Sequence, residues 1–364
     1  MKQQENSNSI RPVTTWLLIG VIMIIIQVIL GGITRLTGSG LSITEWDVIT
    51  GTLPPLNEAE WMTEFAKYQA TEQFRQLNSG FTLDDFKFIY FWEWFHRLWG
   101  RLIGVVFAIP FIIFLVQRRF RREMITPLII LFLLGALQGA VGWIMVASGL
   151  TGDAVYVRPA KLGMHFILAL ILLFYAYWFY LKLRVPPHQL MHAPRLRNFT
   201  WAVIIVLFIQ LFWGALMAGH KAAVVSNTWP EMNGAFIPPG IFDRQEGMIS
   251  MIEHPFVVHF IHRMLAYLLV LLVITWSIIA FRVPATPAFA RSRWYPPTFV
   301  LVQTLLGIFT VVTSLDIRAY TWGIFEWMAQ LHQVTGMLLV LSYVHVLYLC
   351  TGPPVTRHQP LNLN

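Results

Sequence analysis

The 364-residue sequence has one cysteine, Cys350. A single thiol rules out an intrachain disulfide and any cysteine-built zinc or iron–sulfur centre. Charge is scarce too. Asp, Glu, Lys and Arg make up 12% of residues, about half the usual share of soluble domains. Hydrophobic residues make up 56% and aromatic residues 15%. Eight mostly apolar runs lie near 13–34, 88–117, 124–148, 161–183, 198–220, 255–281, 294–314 and 325–350. Each reaches the roughly 20 residues that a helix needs to cross a bilayer. The runs are continuous rather than alternating, which argues against a β-barrel. The expectation is an all-α polytopic membrane protein.

The opening stretch MKQQENSNSIRPV is polar and short, and no small-residue cleavage pattern follows it. No cleavable signal or mitochondrial transit peptide is expected, and a bacterial inner (plasma) membrane is the expected location. Acidic residues are nearly absent from one side. With the N-terminus cytoplasmic and the helices alternating, the inner flanks carry 14 basic residues, opposed only by Glu5 and Glu123. The outer side holds 12 basic and 16 acidic residues. The positive-inside rule then places both termini in the cytoplasm. The net charge of +8 belongs to this topology. The basic residues are spread over many membrane flanks, so no nucleic-acid partner is expected; membrane lipid is.

The sequence repeats itself. The first, third, fifth and seventh runs each carry Gln followed four residues later by Gly: Gln27/Gly31, Gln138/Gly142, Gln210/Gly214 and Gln303/Gly307. That spacing puts both residues on one helix face. Glycine there permits close approach of a neighbour, and a buried Gln can hydrogen-bond across helices. The even runs repeat as well. EWFHRLWGR resembles HFIHRMLAY, and KLGMHF resembles AQLHQV. His96 to His165 is 69 residues, and His262 to His332 is 70. The simplest account is two tandem four-helix halves, about 1–190 and 191–364, related by a pseudo-symmetry axis along the membrane normal.

Each even run carries one of these four histidines within about two turns of its outer start, roughly 8–15 Å deep at 1.5 Å per residue. Ionisable side chains at membrane depth are costly and usually functional. Helix-end hydrogen bonding explains any one of them, but not four matched by the repeat. One pair per half suggests two flat cofactors held between facing helices. A haem fits, with imidazoles on both faces of the iron and apolar walls around the ring. The expected sites are His96/His165 and His262/His332. Arg35, Lys161, Arg97, Arg101 and Arg263 are candidate propionate partners, or else cations reaching lipid headgroups. Glu93 stands three residues before His96, on the same helix face. His259 occupies the matching place in the second half, so the halves are expected to do different jobs. Glu93 is either a catalytic carboxylate or an interfacial partner of Arg97. His188, His192, His220, His254, His345 and His358 read as structural or solvated. The loops 35–87 and 221–254 are expected to cover the outer face, the first with one or two short helices that open on acidic residues.

GGITRLTGSGLSITEW, EAEWMTEFAKYQATEQFRQLN, FKFIYFWEWFHRLWGR, LQGAVGWIMVASGL, NTWPEMNGAFIPP and FIHRMLAY resemble the Cox15/CtaA family of haem A synthases, in its proteobacterial and mitochondrial branch. The resemblance covers nearly the whole chain. It implies oxidation of the C8 methyl of haem O to a formyl group, through successive hydroxylations with loss of water. It implies that His96 and His165 flank the substrate haem O, that His262 and His332 ligate a resident haem B, and that Glu93 is the acidic residue beside the substrate. A haem O synthase, cytochrome oxidase assembly factors and a second copy of the chain are the partners it implies. Some relatives carry a cysteine pair in the first outer loop, and this chain has none there. The competing reading of the four histidines is a dihaem b-type cytochrome passing electrons from quinol. A transporter or haem chaperone is a further class.

Overall fold

The protein is described from a computed structural model that covers residues 2–46, 50–241, 247–317 and 322–354. Arg357 and His358, placed on the cytoplasmic side above, lie outside these residues. The helices in chain order are α1 (Lys2–Leu36), α2 (Glu58–Gln69), α3 (Glu72–Leu77), α4 (Leu83–Val116), α5 (Arg122–Ala147), α6 (Pro159–Arg184), α7 (Pro194–Gly219), α8 (Ser250–Glu253), α9 (Pro255–Arg282), α10 (Pro287–Ser292), α11 (Tyr295–Val312) and α12 (Ile324–Leu349). Among the described residues there is no β-sheet, only two isolated bridges. Eight helical segments are long and apolar enough to cross a membrane, and they coincide with the eight predicted runs. Prolines open α6, α7, α9 and α10 in their first turns, where a missing N–H costs no helical hydrogen bond.

Four helices form the centre. α1 packs on α4 and α6, α6 on α5 and α7, and α7 on α9. α12 packs on α11 and also touches α1, α6 and α7. Burial follows this arrangement: 61% of the apolar window of α12 is covered by protein, and none of that of α4. The core between the central helices is dry and close-packed, with Leu170, Leu173, Leu207, Val273, Trp276, Met337, Tyr343 and Val344 buried. Trp276 meets its polar need by donating to Thr200 Oγ1 at 2.8 Å. Small residues let the central backbones close in. A Cβ at Gly219 would lie 2.8 Å from Pro159, and one at Gly163 would lie 2.7 Å from the ring of Phe212. At Gly32 a Cβ would run into Gln330 and Gln333 of α12. Those two glutamines donate to the α1 carbonyls of Ile29 at 3.1 Å and Val28 at 2.9 Å. Interhelical hydrogen bonds of this kind replace the hydrophobic drive that lipid does not supply.

The outer loops carry their own small cores. Phe65, Tyr68, Phe86, Ile89 and Tyr90 bury together where α2 and α3 meet the outer end of α4. The stretch from Leu56 to Asn78 shows helical spacing throughout, yet it breaks at Ala70–Thr71, because Thr71 turns to cap α3 by accepting from Phe74 N. α4 starts earlier than its apolar run. Thr82 and Asp85 form a capping box that extends the helix outward to Leu83. His96 therefore lies 13 residues into α4, not within two turns of its start. His165, His262 and His332 lie six to eight residues into their helices, as expected. Lys67 ties α2 to the preceding loop through Glu45 at 2.8 Å and also holds Glu64 at 2.7 Å. Those carboxylates, Glu45 first, hold its ammonium above the usual lysine range.

Four of the histidines read as structural make hydrogen bonds within the protein. His220 meets the carbonyl of Ile252 at 2.8 Å. His254 caps α9 by accepting from Phe256 N. His192 meets the carbonyl of Gly352 at 3.1 Å, and His345 bonds the Tyr177 hydroxyl at 2.9 Å.

Two outcomes follow from the packing. Cys350 caps α12, is 1% exposed, and its thiol is pushed up by burial to about 12. A maleimide at pH 7.5 should label it only after denaturation, since the thiolate is the reactive form; rapid labelling of the native protein would contradict the inner-end packing. Gly32→Leu should destabilise the α1–α12 contact by about 1–3 kcal/mol through overpacking, read as a lowered unfolding midpoint in detergent.

Candidate functional site

The four histidines and the four Gln–Gly pairs belong together. Each odd membrane helix offers its pair to the histidine of the even helix that follows. A Cβ on Gly31 would lie 3.3 Å from the ring of His96. On Gly142 it would lie 2.8 Å from His165, on Gly214 3.2 Å from His262, and on Gly307 2.8 Å from His332. Each ring thus rests on bare helix backbone, where even an alanine would push it aside. One turn earlier, the glutamine holds the same histidine. Gln27 Nε2 donates to the His96 carbonyl at 3.2 Å, and Gln138 Nε2 to the His165 carbonyl at 3.1 Å. Gln138 also lies 3.3 Å from the His165 ring, Gln210 3.4 Å from the His262 ring, and Gln303 3.3 Å from the His332 ring. Sequence reading finds both sets of residues but does not join them. The joining signal is there in the repeat, because a Gln–Gly pair and a histidine alternate along all eight membrane helices.

The histidines also pair with one another. The rings of His262 and His332 have centroids 6.5 Å apart and planes at 79°. Two metal–nitrogen bonds of about 2 Å, plus about 1 Å from each nitrogen to its ring centre, span about 6 Å. The separation therefore suits two axial imidazoles on one iron. Among the described residues no three His, Cys, Asp or Glu side chains gather as a metal site. Ligation by histidine pairs therefore fits the donor set better than a zinc cage.

Around each first histidine an arginine stitches down the outer loop. In the first half, Glu93 is 2% exposed and its carboxylate accepts from three groups. These are Ser42 Oγ at 2.7 Å, Ile43 N at 2.9 Å and Arg97 at 2.7 Å. Arg97 also donates to the carbonyls of Ile43 and Glu45 and lies over the Trp46 ring. In the second half His259 replaces the carboxylate and accepts from Arg263 Nε at 3.0 Å. Arg263 donates in addition to the carbonyls of Ser226, Thr228 and Glu231. Arg97 thus gives two hydrogen bonds and Arg263 three to loop backbone, which leaves fewer donors for a propionate. Arg35, at the outer end of α1, has a buried Nε with no hydrogen-bond partner among the described residues. That unmet donor suits a carboxylate. Arg101 lies one turn deeper than Arg97 on α4. Lys161, with Arg158 and Trp143, lines an outer cavity of about 310 Å³ beside Gly142. An adjoining cavity of about 220 Å³ is lined by Arg97, Trp46 and Trp143.

A family model described as cytochrome oxidase assembly protein (COX15-CtaA) matches residues 14–344. The chain belongs to this family. Similar proteins include one from Methylorubrum extorquens named heme A synthase, 40% identical over 337 residues, covering 92% of this chain and 85% of that one. One of the same name from Bradyrhizobium sp. (strain ORS 278) is 42% identical over 331 residues, covering 90% and 88%. Another from Rhodospirillum centenum is 39% identical over 358 residues, covering 97% and 92%. The match takes in all four histidine-bearing helices and both arginine-stitched loops.

Breaking the Glu93 contacts should free the first outer loop. Glu93→Ala takes the carboxylate from the half-buried Arg97 and the acceptor from Ser42 Oγ and Ile43 N, and an unmet buried donor costs about 1–3 kcal/mol. Limited proteolysis should then cut between residues 39 and 46 faster than in the parent protein. Unchanged cleavage would mean that the loop is held by other contacts.

Proposed function

We propose that this chain is a haem A synthase, a membrane oxidoreductase that converts the C8 methyl of haem O to the formyl group of haem A for cytochrome oxidase assembly. The observation that carries the reading is the paired set of histidines, each seated on a glycine and gripped by a glutamine, in a chain of this family. The heme A synthase relatives favour it over an electron-transfer cytochrome. In this reading the two halves, 1–190 and 191–364, are tandem versions of one bundle with different duties, set in a bacterial inner membrane with both termini cytoplasmic.

His96 and His165 would hold the substrate haem O in the first half. The adjoining cavities, with Arg97 and Lys161 on their walls and Arg35 near the outer end of α1, suit the carboxylate-bearing edge of a tetrapyrrole. His262 and His332 would hold a resident haem B. That group, when bound, supplies one-electron redox chemistry to the second half. Arg263 closes the loop above it.

Glu93 would act on the substrate side. All three donors around its carboxylate come from the protein, so taking a proton from substrate would mean giving up one of these contacts. Its better-supported part is to hold a fixed negative charge and the loop bearing Trp46 over the reacting edge, where a pre-organised group needs no rearrangement. His259 cannot supply that charge in the second half, which matches a site that holds its haem without altering it. A haem O synthase is the expected supplier, because the substrate is poorly soluble in water. Self-association of the chain is part of the same reading.

The test is extraction and chromatography of haems from the purified protein, from cells that make haem O, together with a reduced-minus-oxidised spectrum. Haem B with haem O, an oxidised intermediate or haem A is the expected result. Haem B alone would point to an electron-transfer cytochrome, and no haem would overturn the histidine reading. Glu93→Gln keeps acceptors for Ser42 and Ile43 but removes the charge. It should retain both haems and lower haem A yield on the order of 10²-fold, the usual scale for losing a placed electrostatic group. A normal yield would assign Glu93 to loop anchoring alone.

A further inference from the structure

We infer that Gln210 is a positioning residue that sets the ring orientation and proton-bearing nitrogen of His262. This rests on the proposed haem sites. Each glutamine touches its histidine one turn before the glycine that seats the ring. A purely structural glutamine between helices would satisfy both ends of its amide, as its cost of burial demands. Here the amide oxygens of all four are buried without a donor among the described residues. An unmet buried acceptor costs about 1–3 kcal/mol, and the same cost recurs at the same place four times.

The pair Gln210–His262 shows what resolves it. The two side chains touch at 3.4 Å, and each holds one further unmet buried atom: the acceptor Oε1 on Gln210 and Nδ1 on His262. Half a turn of the amide exchanges its oxygen and nitrogen at almost no steric cost. The oxygen then accepts the imidazole N–H, and the other ring nitrogen keeps its lone pair for iron. An acceptor on the far nitrogen of a ligating histidine fixes its tautomer and raises its basicity. At His332 the backbone carbonyl of Gln303 already meets Nδ1 at 3.0 Å while the side chain meets Nε2. There the backbone carbonyl, not the side-chain amide, fixes the tautomer, so the side-chain role is assigned at Gln210 alone.

The proposal makes the glutamine a control on redox behaviour, which helix packing alone is not. The test uses the purified full chain in a His165→Ala background, so that only the His262/His332 haem reports. Gln210→Leu removes the acceptor and should raise the haem midpoint potential. Gln210→Glu supplies a stronger acceptor and should lower it. Each shift should approach a tenfold change in ferric-to-ferrous preference, about 59 mV for one electron, with a matching shift in the ferric low-spin signal in electron paramagnetic resonance. Both variants titrating with the parent would overturn the inference. If the leucine variant binds no haem, the glutamate variant decides alone. His262→Ala is the control: a surviving bis-histidine spectrum there would mean that the haem reading itself is at fault, not the glutamine.

Discussion

An imidazole seated on a glycine of the neighbouring helix is the contact on which the arrangement depends. In hydrocarbon, no water is present to satisfy a misplaced polar side chain. A histidine at membrane depth therefore needs a surface that admits its ring and a partner that meets its polar atoms. The Gln–Gly pair gives both within one helical turn. Because the glycine must face the ring directly, the contact also sets how closely the odd and even helices approach and how each is rotated. Helix geometry and ligand geometry are thus one constraint. Gly31, Gly142, Gly214 and Gly307 are fixed by steric need. Gly135 and Gly139, by contrast, lie on α5 with Gly142 and have open space around their Cβ positions.

The same constraint explains which helices are central. α1, α6, α7 and α12 each carry one member of a histidine clasp and also pack across the middle of the molecule. Gln330 and Gln333 flank His332 on α12 and donate to α1 just beyond Gln27. Those two hydrogen bonds bring the backbone around His332 against the backbone that holds His96. The flanking helices α4 and α5 bury little or none of their apolar windows in protein. They present Ile109, Ile112, Phe132 and Leu133 outward, as a lipid-facing surface requires.

The membrane helices were readable from sequence because length and apolarity alone decide them, and all eight fell within a few residues of expectation. The histidine set was readable because a repeat marks it out. The acidic opening of the helix at Leu83 was readable too, but the break at Ala70–Thr71 was not, because it turns on the Thr71 side chain accepting from the Phe74 N–H, a choice that an apolar count does not see. The partnership of glutamine and histidine was hidden for another reason. The residues are 69, 27, 52 and 29 positions apart, and no fixed separation links them until the helices are packed. The loop contacts of Arg97 and Arg263 were hidden as well, because a sequence shows their charge but not the loop carbonyls that take up part of their donors.

In the proposed reading, one scaffold used twice gives two different sites through a few exchanged side chains. Arg97 and Arg263 do matching work, each stitching the outer loop of its own half to the helix that carries the first histidine. Their helical neighbours differ. Glu93 pairs with Arg97, so the first half places a cation and an anion together beneath its loop. His259 pairs with Arg263 and leaves the positive charge without a carboxylate at hand. Beside a flat, electron-rich macrocycle these are opposite environments. A net positive setting favours holding anionic propionates and the reduced state of an iron. A balanced pair with a fixed carboxylate favours positive charge developing on an oxidised substrate. In that reading the repeated Gln–Gly and His pattern supplies the grip, and the residue three places before each first histidine, Glu93 or His259, sets the charge beside it.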